Sequence, residues 1–69
     1  MLDPRQIASF LAVAQAGSFV AASDALGLSK AAVSRHVSDL ETRLGVRLLH
    51  RTTRRLSLTE DGLRFQQRA

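Results

Sequence analysis

Hydrophobic residues recur at helical spacing in three segments, and each segment lies between a residue that caps helix starts and a glycine that ends helices. The caps are Asp3, Ser18 and Ser29, and the glycines are Gly17, Gly27 and Gly45. The hydrophobic faces are predicted to be Ile7, Phe10, Leu11 and Ala14, then Phe19, Ala22, Ala25 and Leu26, then Val33, Val37, Leu40 and Leu44. The pattern predicts three helices around one small core.

Two of the predicted helix boundaries carry additional signals. Pro4 follows Asp3 as a first helical residue, and Gln6 stands where it can complete a capping box with Asp3. Leu28 lies in the short turn between the second and third helices, next to a glycine that accepts a left-handed conformation. Leu28 is predicted to fill the space between these two helices, as in a helix-turn-helix motif.

The hydrophobic period changes after Gly45. Val46 and Leu48, then Leu56 and Leu58, alternate with polar residues and predict a short β-hairpin around Thr52-Thr53. Thr59 is a predicted cap for a fourth helix, in which Glu60 and Asp61 suit the positive end of the helix dipole. We therefore predict a mainly α fold: a three-helix core, a hairpin and the start of a fourth helix.

Basic residues are concentrated in one part of the chain. The 69 residues carry a net charge of +4, and residues 30–55 alone hold seven basic and two acidic residues, a net of +5. Such a cluster is typical of nucleic-acid binding. A solvated charged face remains an alternative on charge alone.

The third predicted helix, about residues 30–44, has a polar face opposite its hydrophobic stripe. Small and hydroxylated residues surround an arginine there, which suits a helix in the major groove, and arginine can bond guanine O6 and N7 together. Asp39 and Glu41 are expected to repel phosphates, so contact should involve the first turns. A helix buried on all sides is disfavoured by Arg35. The predicted base-reading residues are Lys30, Ala31, Ser34, Arg35 and Ser38.

Four arginines, Arg47, Arg51, Arg54 and Arg55, belong to the predicted hairpin. Arginines on a short β-hairpin can bind phosphates or enter a narrow minor groove. Protection of an exposed strand edge is the alternative role. His36 borders Arg35 and is assigned to phosphate contact, with a plain surface role left open.

The sequence gives little support for a metal site, a catalytic site or a membrane span. The chain has no cysteine, and neither His36 nor His50 has partners at metal-ligand spacing, so we predict no metal and no cofactor. Asp39 and Glu41 point to different helix faces and do not form a catalytic pair, so no enzyme is predicted. The apolar runs are too short to span a membrane.

The segments GSF, AA..L, S..AVSR, LE..LGV.LL.R and R...LTE..G occur in this order over nearly the whole chain. Together they resemble the N-terminal DNA-binding domain of LysR-type transcriptional regulators, which are bacterial winged helix-turn-helix proteins. The resemblance implies that Lys30, Ala31, Ser34 and Arg35 face bases, that Ser18 and Phe19 lie near phosphate, and that Arg51, Thr52 and Arg54 form a wing on the backbone. Many members have glutamine and proline where this chain has Lys30-Ala31.

The resemblance also implies the organisation of a longer protein. Residues 1–58 would form the winged helix-turn-helix domain, and residues 59–69 would begin a longer linker helix that mediates dimerisation. A C-terminal domain, absent from this sequence, would bind a small effector. Expected partners are a pseudo-palindromic double-stranded operator and a second copy in the full-length protein, in the cytoplasm at the nucleoid. Two alternatives remain: a winged helix that binds proteins, and a non-specific architectural DNA binder.

Overall fold

The computed structural model describes residues 3–51 and 56–68. These residues form four helices and two strands, α1 (Pro4–Ala16), α2 (Phe19–Leu26), α3 (Lys30–Leu44), β1 (Leu49–Arg51), β2 (Leu56–Leu58) and α4 (Glu60–Arg68). This order confirms the mainly helical prediction. Of the predicted hairpin, the Thr52-Thr53 segment lies outside the described residues.

Short side chains cap the three core helices as the sequence predicts. Asp3, Ser18 and Ser29 accept hydrogen bonds from backbone N–H groups in the first turns, at 2.9, 3.0 and 3.1 Å. A glycine in the left-handed conformation follows each helix. The helix boundaries are therefore determined by local sequence.

The predicted capping box at α1 is wrong. Asp3 accepts its side-chain hydrogen bond from the backbone N–H of Arg5, one residue before Gln6. The side chain of Gln6 is buried, and its Oε1 atom has no hydrogen-bond partner among the residues that the structure describes. Gln6 thus packs against the domain instead of reaching back to the helix start.

The core is formed by one face of each of the first three helices together with the start of β1. Its buried hydrophobic members are Phe10, Val13, Ala22, Val33, Val37, Leu40, Leu48 and Leu49. Ala25 was predicted to face this core but is exposed, and the buried residues of α2 are Ala22 and Ser23.

Leu28 does not fill the space between α2 and α3. Its side chain is 41% exposed. The backbone N–H of Leu28 donates to the carbonyl of Ser23, and Gly27 adopts φ +69°, so the turn is closed by main-chain geometry. This arrangement leaves the leucine side chain on the surface.

The two strands pair antiparallel with Leu49 opposite Leu58 and Arg51 opposite Leu56. Val46 was predicted to alternate with Leu48 in the first strand, but it precedes β1 and is 38% exposed. The first strand starts only at Leu49, because residues 46–48 lead the chain away from the end of α3 at Gly45.

Helix α4 returns to the core from the end of β2. Thr59 caps it by accepting a hydrogen bond from the backbone N–H of Gly62 at 2.9 Å. Phe65 packs edge-to-face on Phe10, with ring centroids 5.6 Å apart and planes at 71°. The first two turns of α4 therefore belong to the packed domain.

Candidate DNA-binding surface

The outward side of α3 collects the residues predicted to read bases. Lys30, Ala31 and Arg35 are exposed, and Ser34 and Ser38 are half-buried at the sides of the same face. The opposite side of α3 buries its hydrophobic stripe in the core. The structure thus places the five predicted residues on one accessible helix face.

The positive charge on this face is available to a ligand. Within residues 3–51 and 56–68, neither Lys30 nor Arg35 forms a salt bridge. The ion pairs seen in this part of the chain, Arg5 with Asp3 and Arg64 with Glu60, lie at the first turns of α1 and α4. The first turns of α3 can therefore receive phosphates or base edges without breaking an existing pair.

Ser18 and Phe19 stand at the start of α2, as predicted, but both also have structural roles. The Oγ atom of Ser18 accepts the hydrogen bond of Ala21 that caps the helix. Phe19 is half-buried against the core. A phosphate contact at this position would therefore use the exposed end of the helix rather than a free side chain, and it stays a prediction.

His36 joins α3 to α1. Its Nδ1 atom and the hydroxyl oxygen of Ser9 lie 2.9 Å apart and share a hydrogen bond, and Ser9 is buried. The ring is half-buried, so Nε2 is the nitrogen left for any outside contact. The structure assigns His36 an interhelical bond, and its predicted phosphate contact remains untested.

The predicted wing is only partly described. Arg51 is the last residue of β1, whereas Thr52, Arg54 and Arg55 lie outside the described residues. Arg47 is exposed just before β1. The pairing of Arg51 with Leu56 involves the last described residues on either side of positions 52–55.

Glu41 has a structural role that was not predicted from the sequence. We expected its carboxylate on the surface, but the residue is only 8% exposed. Its Oε2 atom accepts hydrogen bonds from the backbone N–H groups of Leu48 and Leu49, at 2.8 and 3.2 Å. One signal was present: Glu41 stands four residues after Val37 and therefore shares the buried side of α3. This carboxylate fixes the start of β1 to the end of the helix.

Two further properties concern the described part of the molecule. No group of histidine and acidic side chains there is arranged to hold a metal ion. None of the described helices combines the length and hydrophobicity that a membrane span requires.

At α1, the backbone N–H of Arg5 holds the pKa of the Asp3 carboxyl below its ordinary value of 3.8.

Residues 4–63 match the family model described as "Bacterial regulatory helix-turn-helix protein, lysR family". The chain belongs to the LysR family. A helix-turn-helix-type transcriptional repressor from Pseudomonas aeruginosa strain UCBPP-PA14 is 68% identical over 56 residues, which are 81% of this chain and 18% of the repressor. The chain spans about a fifth of the length of the curated relatives that it matches.

Solved structures agree with this family assignment. A BenM DBD complex with catB site 1 DNA superposes with a TM-score of 0.91 at 35% identity, covering 96% of this chain and 73% of that one. A CbnR DBD–DNA complex superposes with a TM-score of 0.88 at 41% identity, covering 93% and 74%. The fold is thus the winged helix-turn-helix fold of LysR-family DNA-binding domains.

Proposed function

We propose that this chain is the DNA-binding domain of a bacterial transcriptional regulator and binds double-stranded DNA sequence-specifically, with α3 in the major groove. The observation that carries the proposal is the exposed face of α3, where Lys30, Ala31 and Arg35 stand without competing ion pairs among the described residues. Small residues beside an arginine allow the helix axis to approach the base edges closely. The similar solved domains in complexes with DNA support the same docking mode.

The wing would supply contacts that do not depend on sequence. Arg51 is the last residue of β1, and Thr52, Arg54 and Arg55 lie in the sequence between β1 and β2. Guanidinium groups there would bind phosphates or enter the minor groove beside the α3 site. If each protomer contacts about four to six phosphates, log K should fall with log salt at a slope of about −3.6 to −5.4.

The two classes of arginine provide the decisive experiment. An operator is first selected from a random duplex pool, and affinities are then measured for that operator and its single-base variants. Arg35→Ala should weaken operator binding by about 1–3 kcal/mol and relax the preference at one position. Arg54→Ala should weaken binding to all sequences alike and reduce the salt slope by about one unit.

Arg64→Ala is the matched control, because it removes an exposed arginine from α4, outside the proposed surface. It should leave the preferences among operator variants as they are. If Arg35→Ala also left them unchanged, α3 would not read bases. Equal affinity for operator and random DNA would favour an architectural binder, and binding insensitive to salt would favour a protein-interaction module.

Further parts of the proposal concern the longer protein. We place it in the bacterial cytoplasm at the nucleoid, acting as a regulator without enzymatic activity. Residues 1–58 would be the DNA-binding domain, and residues 59–69 would begin the linker helix. Two copies would occupy a pseudo-palindromic operator, and a small effector would act through a separate C-terminal domain. The family membership of residues 4–63 supports these proposals.

A further inference from the structure

The three residues 47–49, here called the wing base, are held from two sides. From α3, Glu41 Oε2 accepts the N–H groups of Leu48 and Leu49. From the start of α4, Thr59 donates its hydroxyl to the carbonyl of Arg47 and its backbone N–H to the carbonyl of Leu48, the latter at 3.0 Å. The N–H groups of Leu48 and Leu49 are therefore bonded to α3, and the carbonyl groups of Arg47 and Leu48 accept hydrogen bonds from the residue that caps α4.

Gly62 brings α4 unusually close to the wing base. A Cβ atom at this position would overlap the carbonyl oxygen of Leu48 and would lie 3.0 Å from the carbonyl carbon. Both obstacles are backbone atoms, which cannot move aside as a flexible side chain would. The first turn of α4 thus rests directly on the main chain of the wing base, and only glycine fits without displacement.

Thr59 links these two contacts. Its Oγ1 atom donates to Arg47 and also accepts the N–H of Gly62, so the cap of α4 and the bond to the wing base use the same hydroxyl. A shift of the first turn of α4 must therefore either break this cap or move the wing base. The other side of the wing base is fixed to Glu41, a residue of α3.

We propose that Thr59 and Gly62 are positioning residues through which α4 sets the placement of the wing against DNA. Glu41 holds the wing base to α3, and the contacts of Thr59 and Gly62 hold it from the side of α4. This inference rests on the proposed DNA-binding function. The contacts of Thr59 and Gly62 with the wing base are here called the junction. The junction would affect the phosphate contacts of the wing and leave base reading by Arg35 unchanged.

The test uses two perturbations of the junction and two controls. Thr59→Val keeps the side-chain volume but removes both hydrogen bonds of the hydroxyl, whereas Thr59→Ser retains them. Gly62→Ala displaces α4 from Leu48. Val13→Ala lowers stability in the core from the side of α1, without removing a hydrogen bond of Thr59 or the contact of Gly62. All proteins are compared at a temperature where each is folded, and affinities are corrected for the folded fraction.

The first readout is binding to a random-sequence duplex as a function of salt. For every phosphate that the wing no longer neutralises, the slope of log K against log salt becomes less steep by about 0.9. We expect a change of about one to two units for Thr59→Val and Gly62→Ala, and a wild-type slope for Thr59→Ser and Val13→Ala. Unchanged slopes in both junction variants, or an equal change in Val13→Ala, would overturn the inference.

The second readout does not require DNA. Amide hydrogen exchange of Leu48 and Leu49 is compared with that of Val37 in the core of α3. Gly62→Ala should lower the protection of the first two amides relative to the third, while Val13→Ala should lower all three together. A uniform loss in both variants would overturn the coupling. If the wild-type chain failed to bind any duplex, the proposed function would fall, and the exchange measurement would still decide the junction.

Discussion

Replacement of Glu41 by alanine is the most informative perturbation of stability in this domain. The carboxylate is buried and accepts the N–H groups of Leu48 and Leu49 at 2.8 and 3.2 Å. Alanine would leave both donors without this acceptor, and an unsatisfied buried donor costs about 1–3 kcal/mol. In the variant, a water molecule in the space left by the carboxylate can satisfy part of this hydrogen-bonding capacity. We therefore expect the free energy of unfolding to fall by about 2–4 kcal/mol.

This loss is large for a chain of 69 residues. Domains have free energies of unfolding of roughly 0.05–0.15 kcal/mol per residue, which is about 3–10 kcal/mol here. Glu41→Ala should therefore remove a substantial fraction of the stability and shift the urea midpoint clearly. Urea unfolding followed by far-ultraviolet circular dichroism would measure the change, with the slope of the transition checked for two-state behaviour.

Two control variants separate the buried hydrogen bonds from the loss of a negative charge. Glu41→Gln retains an oxygen acceptor and should lose less than about 1.5 kcal/mol. Glu60→Ala removes an exposed carboxylate from a surface ion pair and should change stability by no more than about 1 kcal/mol. If Glu41→Ala were as stable as Glu60→Ala, the Glu41 carboxylate would not stabilise the wing base, and the role assigned to its two hydrogen bonds would be wrong.

Three other outcomes are expected. Gly45→Ala should lower the free energy of unfolding by roughly 1–2 kcal/mol, because the residue has φ +72° and open space around a Cβ, so that only backbone conformation is changed; a neutral result in urea would contradict this. Leu28→Ser should cost less than about 0.5 kcal/mol, since the residue is 41% exposed and lies outside the core cluster, and a loss of several kcal/mol would restore the interhelical role that its position suggested. Finally, the lowered pKa of Asp3 means that its stabilising effect is present above the pKa of the unfolded chain and is lost as pH falls through the lower folded-state pKa. Thermal melts between about pH 2 and 5 should therefore show the Tm of the wild type falling relative to that of Asp3→Ser, which caps without titrating, and parallel curves would refute it.

Local chemistry explains why the helices could be predicted from sequence. Asp3, Ser18 and Ser29 cap their helices through atoms two or three residues away, and the glycine after each helix needs no distant partner. The hydrophobic stripe of α3 follows from helical periodicity alone, and its first three members, Val33, Val37 and Leu40, are fully buried. The face presented outward, including Arg35, then follows because it lies opposite that stripe.

The interactions that could not be predicted involve residues whose surroundings are set by distant parts of the chain. Glu41 was interpreted as a surface charge because its partners, seven and eight residues away, become neighbours only when the chain turns back after α3. The bond between His36 and Ser9 spans 27 residues and had no local signal. From the sequence alone, Gly62 is a residue of low helix propensity. Its contact with the backbone of Leu48 forms only when α4 packs against residues 47–49.

The division of α3 into two sides has a consequence for how such domains diversify. Val33, Val37 and Leu40 are fully buried and hold the helix in the core, whereas Lys30, Ala31 and Arg35 are exposed and contribute none of that packing. Substitutions at exposed positions usually change stability by no more than about 0.5 kcal/mol. Mutation can therefore sample new outward side chains on a helix whose folding is already secured. A duplicated gene could acquire a different target sequence by a few such changes, without passing through an unfolded intermediate.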